Sequence, residues 1–180
     1  MDGVLNHEKM FQGDLYENVP PGNLFGMTVD PKAVTLLKNW CQSWEVDIVA
    51  STSWRSNTMD AGEWQNPKHN NFSIFNAIRW GGWPEEDLLA RLIGNTPRIW
   101  GAARGLEIKK WLDEHPDRYR KDITPFIILD DNADMTLHQK KNHFVQTKMK
   151  DGLMKDHIEK MTEVLEAQKK KPAQKPSSRI

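Results

Sequence analysis

The stretch Pro125-Phe-Ile-Ile-Leu-Asp-Asp-Asn-Ala-Asp134 decides the fold of this chain. Its apolar part, Pro125–Leu129, is the strongest signal for a buried strand in the sequence, because it is short, continuous and rich in β-branched and aromatic residues. Three carboxylates follow, at Asp130, Asp131 and Asp134. Strands that are apolar throughout are typical of parallel sheets covered on both faces. The stretch therefore predicts a buried strand that delivers acidic side chains to one edge of such a sheet.

Further strands and helices alternate around this stretch. Val46–Ala50 predicts an earlier buried strand, which runs into the hydroxyls of residues 51–53. Helices are predicted after Asp30–Pro31, near Phe72–Trp80 and Pro84–Ile93, after Gly105 and after Asp151–Gly152, with a short strand around Phe144–Val145. This alternation predicts an α/β fold with a Rossmann-like parallel sheet covered by helices on both faces. Reactive groups in such sheets gather beyond the carboxyl ends of the strands.

The 180 residues fit one domain of ordinary size, which we predict to span residues 1–165. Within it, residues 56–98 are polar and rich in Trp and Asn, and they form a predicted insert that is small for a cap domain. Residues 166–180 form a predicted basic, disordered tail. The net charge of the chain is zero, but residues 169–180 carry five basic and no acidic residues. The tail is either a solvated end or a weak attachment to nucleic acid or membrane.

Composition excludes several classes of protein. No apolar stretch approaches the ~20 residues that span a bilayer, and the N-terminus has no signal sequence, so neither a membrane protein nor a secreted one is expected. The single cysteine, Cys41, forms neither an internal disulfide nor a thiolate metal cage, which fits a reducing cytoplasm. The sequence leaves the oligomeric state open.

The polar clusters at the predicted strand ends each have two interpretations. Asp130, Asp131 and Asp134 form an oxygen-rich cluster of the kind that suits Mg²⁺, but an Asp/Asn turn that caps the next helix has the same spacing. The hydroxyls of residues 51–53 with the guanidinium of Arg55 are suited to hydrogen-bonding a phosphate, but hydroxyls also cap strand ends. Spacing alone does not decide between them.

Four motifs in order carry a resemblance to a known family. Asp2-Gly-Val-Leu-Asn6 opens the chain, Asp47-Ile-Val-Ala-Ser-Thr-Ser53 ends the earlier strand, Arg104-Gly-Leu-Glu-Ile108 begins a helix, and Ile127-Ile-Leu-Asp-Asp-Asn-Ala-Asp134 ends the later strand. Together they resemble the haloacid dehalogenase (HAD) superfamily of phosphohydrolases, and within it the small domains related to nucleic-acid repair phosphatases. The resemblance covers about residues 1–165 and implies an HAD-type core with a small insert and no large cap.

The resemblance implies Mg²⁺-dependent hydrolysis of phosphate monoesters through an aspartyl-phosphate intermediate. The implied substrate is a phosphorylated small molecule or a nucleic-acid end. The residues matching the family's motifs would take these roles: general acid/base at Asp2, phosphoryl binding at Thr52 or Ser53, neutralisation of charge at Arg104 or Lys109 with Arg55 assisting, and Mg²⁺ ligation at Asp2, Asp130, Asp131 and Asp134.

The match departs from the family at the N-terminus. In the family, the nucleophilic aspartate lies two residues before the position of Asp2, which here falls ahead of Met1. The apolar strand that ends in this aspartate lies in the middle of the family's sheet, and its position also falls ahead of Met1. We expect either an N-terminally truncated product, inactive as written, or a rearranged relative that binds phosphate or nucleic acid without turnover. An open site also leaves room for aromatic side chains to stack on bases, although core packing competes for the same residues: Trp54, Trp64, Trp80 and Trp83.

Overall fold

A computed structural model describes residues 3–9, 29–52, 74–120 and 123–170. The first helix, α1 (Pro31–Trp44), begins where the sequence predicts. The Asp30 side chain caps it by accepting a hydrogen bond from the Lys32 backbone N–H at 2.8 Å, and Pro31 occupies the first turn. The helix ends at Trp44, and the next residue, Glu45, caps it with a left-handed backbone (φ 53°) whose N–H bonds to carbonyls of the last turn.

The earlier predicted strand pairs with a strand that the sequence did not predict. β1 (Ile48–Ala50) and β2 (Leu92–Asn95) are parallel, and the crossover between them includes α2 (Ile74–Trp80) and α3 (Glu85–Arg91). β2 lies inside the segment 56–98, which was predicted as an insert, so that segment contributes a strand to the core. The predicted helix near Pro84–Ile93 ends at Arg91 because β2 follows it directly, without the turn residues that mark a boundary in sequence.

The later predicted strand forms a second parallel pair. β3 (Ile128–Asp130) pairs with β4 (Phe144–Gln146) in the register Leu129↔Val145, and α5 (Leu137–Asn142) connects them. α4 (Arg104–Glu114) precedes β3. The parallel α/β class is therefore confirmed. In the described part of the chain the strands form two two-stranded parallel sheets. The Rossmann-like sheet, predicted with its first strand absent or truncated, stays a prediction.

One hydrophobic core nevertheless joins the two sheets. Ala50 and Leu92 from the first pair and Val145 from the second belong to the same buried cluster, as do Val4 and Leu5 near the N-terminus. The residues that follow Asp2 are thus part of the core. Backbone hydrogen bonds hold them on both sides, from the Asp30 N–H to the Leu5 carbonyl (2.6 Å) and from the Leu153 N–H to the Val4 carbonyl (2.8 Å).

The last helix, α6 (Lys155–Lys169), extends past the predicted boundary at residue 165. Its Gln168 side chain donates to the Phe126 carbonyl and accepts from the Phe126 N–H, at 2.9 and 3.1 Å. The first residues of the predicted tail are therefore helical and fixed to the segment before β3; residues 171–180 lie outside the described residues. None of the helices in the described ranges is both long and apolar enough to cross a bilayer.

Candidate active site

The carboxyl ends of β1 and β3 are bridged by one arginine. Arg104, the first residue of α4, donates from Nη1 to the Ser51 carbonyl oxygen at 2.6 Å, just after β1. Its Nε lies 3.3 Å from Oδ2 of Asp130, the last residue of β3, as an ion pair. The family resemblance implies a charge-neutralising basic group at Arg104 or Lys109, and the structure brings Arg104 to the strand ends.

Lys109 lies elsewhere. It is exposed on α4, and its ammonium group pairs with Asp113 one turn further along the helix. Five residues separate it from Arg104, and at about 100° per residue that spacing places the two side chains on different faces of the helix. The structure therefore gives no support to Lys109 as a site residue.

Asp130 is a buried carboxylate, with the residue only 8% exposed. Its Oδ1 accepts the Asn132 N–H at 2.9 Å. Burial raises the pKa of Asp130 above its usual value and the charge of Asp131 acts in the same direction, while the Asn132 N–H and Arg104 act to lower it. The negative charge of Asp130 is thus only partly compensated by the protein, and a cation beside it would favour the ionised form.

Asp131 lies against the N-terminal segment. A Cβ atom added to Gly3 would come within 2.4 Å of the Asp131 Cβ, and Gly3 has a positive φ of 66°. Thr147 fixes Gly3 by donating its hydroxyl to the Gly3 carbonyl at 2.6 Å. Only glycine fits this position, for both steric and conformational reasons. The structure thereby brings the glycine of the first motif to the acids of the fourth; Asp2, which precedes it, lies outside the described residues.

Asp134 caps α4, the helix that carries Arg104. Its Oδ2 accepts the Arg104 backbone N–H at 3.0 Å, and its carbonyl accepts the Gly105 N–H at 3.3 Å. The residue at the N-cap itself, Ala103, has no side chain able to do this. The capping interpretation therefore applies to Asp134, although the capped helix precedes it in sequence. Its Oδ1 is buried and has no hydrogen-bond partner.

Two further contacts fix the start of α4. Gln139 donates its side-chain amide to the Gly105 carbonyl at 2.9 Å. Gly105 approaches so closely that an added Cβ would lie 2.4 Å from the Gln139 Oε1. Gln139 is itself held by a reciprocal capping box with Thr136, a Thr-x-x-Gln pattern that is visible in the sequence but was not singled out. The backbone of Arg104 is therefore positioned by the β3–α5 connection.

The site opens into a pocket of about 220 Å³. Thr52, which is 2% exposed, lines it together with Arg104, Asp134 and Glu107. The neighbouring Ser51 hydroxyl accepts a hydrogen bond from the Thr96 hydroxyl at 3.0 Å. Of the predicted hydroxyls, the structure thus brings Thr52 to the pocket that Arg104 lines. Ser53 and Arg55 lie outside the described residues.

The donors present fit a hard divalent cation. Mg²⁺ keeps several waters and takes one or two carboxylates, which is what the adjacent Asp130 and Asp131 offer. The buried, unpartnered Oδ1 of Asp134 is a further oxygen whose polarity is unsatisfied. Within residues 3–9, 29–52, 74–120 and 123–170, no group of three or more His, Cys, Asp or Glu side chains is arranged to hold a metal. The fourth predicted carboxylate, that of Asp2, falls outside these ranges.

Comparison with known proteins identifies one family. Residues 1–158 match the family model described as the HAD domain in Swiss Army Knife RNA repair proteins. No curated protein sequence and no solved structure matches the chain. The matched range includes every site residue discussed above.

Proposed function

The chain belongs to the family of HAD domains found in Swiss Army Knife RNA repair proteins, and from that membership we propose that it is a Mg²⁺-dependent phosphomonoesterase. The proposed substrate is a terminal phosphate on a nucleotide or nucleic acid. One observation carries the proposal: Arg104 lies between the ends of β1 and β3, beside the buried Asp130 and in the same pocket as Thr52.

Binding of the phosphoryl group follows from the residues of this pocket. A guanidinium has five N–H donors in a planar fork, so Arg104 keeps donors for an oxyanion while it bonds to Ser51. Thr52 lines the same pocket and is the residue whose hydroxyl would bind a phosphoryl oxygen. A phosphoryl group there would bring negative charge close to Asp130 and Asp131. The two carboxylates would therefore repel it unless a cation came between them.

The acidic pair supplies the place for that cation. Asp130 and Asp131 would hold Mg²⁺, and Asp2 would join them as the matching residue of the first motif. When bound, Mg²⁺ supplies charge neutralisation between carboxylates and phosphate. The close approach of Gly3 to Asp131 supports this assembly, because it places the first motif in direct contact with the fourth.

Turnover is proposed to run through an aspartyl-phosphate. In HAD phosphatases the nucleophile is an aspartate two positions before the residue that corresponds to Asp2, and the Asp2 equivalent protonates the leaving oxygen and then activates water. In this numbering the nucleophile's position is ahead of Met1. We therefore propose that hydrolysis requires a chain in which an apolar strand ending in aspartate precedes Met1.

The test compares three versions of the chain on p-nitrophenyl phosphate, with and without Mg²⁺. The versions are the chain as printed, the chain extended by an apolar strand ending in aspartate, and the extended chain with that aspartate changed to asparagine. We expect Mg²⁺-dependent turnover from the extended chain alone. Turnover that survives in the asparagine version would refute the aspartyl-phosphate route.

A second candidate function is phosphate binding without turnover. It is favoured by the contact between Arg104 and Asp130, because the protein itself supplies part of the compensation that the buried acid needs. Saturable binding of phosphate by the extended chain, with no release of nitrophenol at any Mg²⁺ concentration, would favour this candidate over the phosphatase.

A further inference from the structure

Trp100 is the most exposed of the described tryptophans. It lies in the loop between β2 and α4 and is 91% exposed, whereas Trp83 and Trp111 are 1% and 7% exposed. Tryptophan carries a large apolar surface, so leaving it in water gives up the stabilisation that burial would provide. The fold of this chain buries other tryptophans and does not bury this one.

The loop that carries Trp100 is held in place. The Ile99 N–H donates to Oε1 of Glu107, a carboxylate buried on α4, at 2.9 Å. The Ala102 N–H closes a turn onto the Ile99 carbonyl at 3.1 Å, and Gly101 takes a positive φ of 72° to make that turn. Exposure of the indole therefore follows from a defined turn that faces solvent.

The side chain of Arg98 lies beside the indole of Trp100. The guanidinium carbon of Arg98 lies 5.4 Å from the centroid of the Trp100 ring, within the range of a cation–π contact. Arg98 and Trp100 line the same pocket as Thr52, Arg104 and Asp134. An exposed aromatic plane with an arginine beside it, at the edge of a phosphate-binding pocket, matches the chemistry of a nucleobase linked to a phosphate.

We propose that Trp100 and Arg98 form a platform on which the base of the phosphorylated terminal nucleotide stacks. The inference rests on the proposed phosphate site and names nucleotides as the substrates that this site prefers over phosphate esters that lack a base. Stacking accepts any base because each has a π-face, so the platform gives affinity without sequence preference. The pocket is lined by two guanidinium groups and two carboxylates, and this polar lining favours a nucleotide over an apolar segment of protein.

Binding measurements test the platform without requiring turnover. The protein is the chain as printed with Mg²⁺, and the probes are a 5′-phosphorylated and a 3′-phosphorylated oligoribonucleotide, a nucleoside monophosphate, glucose 6-phosphate and inorganic phosphate. We expect Trp100→Ala to weaken binding of the probes with a base by about 5- to 150-fold and to leave binding of inorganic phosphate and glucose 6-phosphate unchanged. Trp100→Phe should retain most of the affinity because it keeps an aromatic plane.

A control is Ile123→Ala, which truncates an apolar side chain that is 60% exposed and is not among the residues lining this pocket. It should leave every affinity unchanged. Equal binding of the nucleotide probes by the wild type and Trp100→Ala would overturn the platform while leaving the phosphate site intact. If Arg104→Ala leaves the binding of inorganic phosphate unchanged, the proposed phosphate site fails and the platform fails with it. Preference for either oligonucleotide over the mononucleotide would identify a nucleic-acid end as the source of the base.

Discussion

Replacing Gly3 by alanine tests whether the first and fourth motifs meet as described. The added methyl group would lie 2.4 Å from the Asp131 Cβ, about 1 Å closer than ordinary contact. Cβ is attached to the backbone, so no change of rotamer moves it away. Either the N-terminal segment or the β3–α5 connection must shift, and each carries an element of the proposed site.

The magnitude has two parts. A non-glycine residue in the left-handed region costs about 1–2 kcal/mol. Forcing an extra carbon into a packed contact costs about 1–3 kcal/mol more. We therefore expect Gly3→Ala to lower the free energy of unfolding by about 2–5 kcal/mol.

A second glycine separates the two parts. Gly101 has nearly the same backbone angle, φ 72° against 66°, but an added Cβ there would meet nothing within 4 Å. Gly101→Ala should therefore cost only the conformational part, about 1–2 kcal/mol. Urea denaturation of the wild type and both variants measures the difference between them.

Mg²⁺ adds a second measurement. A ligand that binds the folded state raises its stability, so Mg²⁺ should raise the melting temperature of the wild type. The increase should shrink in Gly3→Ala, where Asp131 is displaced, and persist in Gly101→Ala. Equal loss of stability in the two variants would refute the close contact between Gly3 and Asp131, and an equal Mg²⁺ shift would refute its link to the metal site.

Three further changes probe other parts of the structure. Asp134→Ala should lower stability by about 1 kcal/mol because it removes the cap on Arg104's helix, and Asp134→Asn should retain most of it by urea denaturation. Burial raises the pKa of the Cys41 thiol to about 12, so the thiol of the unfolded chain ionises first, and the free energy of unfolding should fall as pH rises from about 9 towards 12. Cys41→Ala should lack this part of the fall when urea denaturation is measured at several pH values. Desolvation acts to raise the pKa of Asp87, but hydrogen bonds, above all the one from Arg91, lower that pKa overall. The free energy of unfolding should therefore fall as pH drops below about 4, and Asp87→Asn should show a smaller loss between pH 6 and pH 3.

Local signals in the sequence predicted the local features well. The start of α1 was predicted from Asp30 and Pro31, and both take the positions expected. The apolar run before Asp130 predicted a buried strand that ends in acids, and β3 ends at Asp130. Capping, proline geometry and burial act within a few residues, so the sequence displays them directly.

Features that depend on distant segments were missed. β2 escaped prediction because Leu92 and Ile93 continue the apolar pattern of α3, and only pairing with β1 identifies them as a strand. Asp134 was expected to bind metal or to cap the helix after it; the helix that it caps is α4, which lies upstream, and its role as a metal ligand stays a prediction. Arg104 and Lys109 both matched the basic position of the third motif, and the contacts of Arg104 with distant strand ends are what separate it from Lys109, which pairs with Asp113. The exposure of Trp100 is a property of the folded surface that no sequence pattern displays.

The bridge made by Arg104 has a consequence for the coupling of ligand and fold. Because the two strand pairs share no backbone ladder in the described ranges, Arg104 links their ends at the site while the shared hydrophobic core joins them below it. An oxyanion that accepts hydrogen bonds from the remaining N–H groups of Arg104 would add a further link between the two strand pairs. Binding of the oxyanion should then slow amide exchange in β1 and β3 together. Substrate binding would in this way also stabilise the attachment of one strand pair to the other.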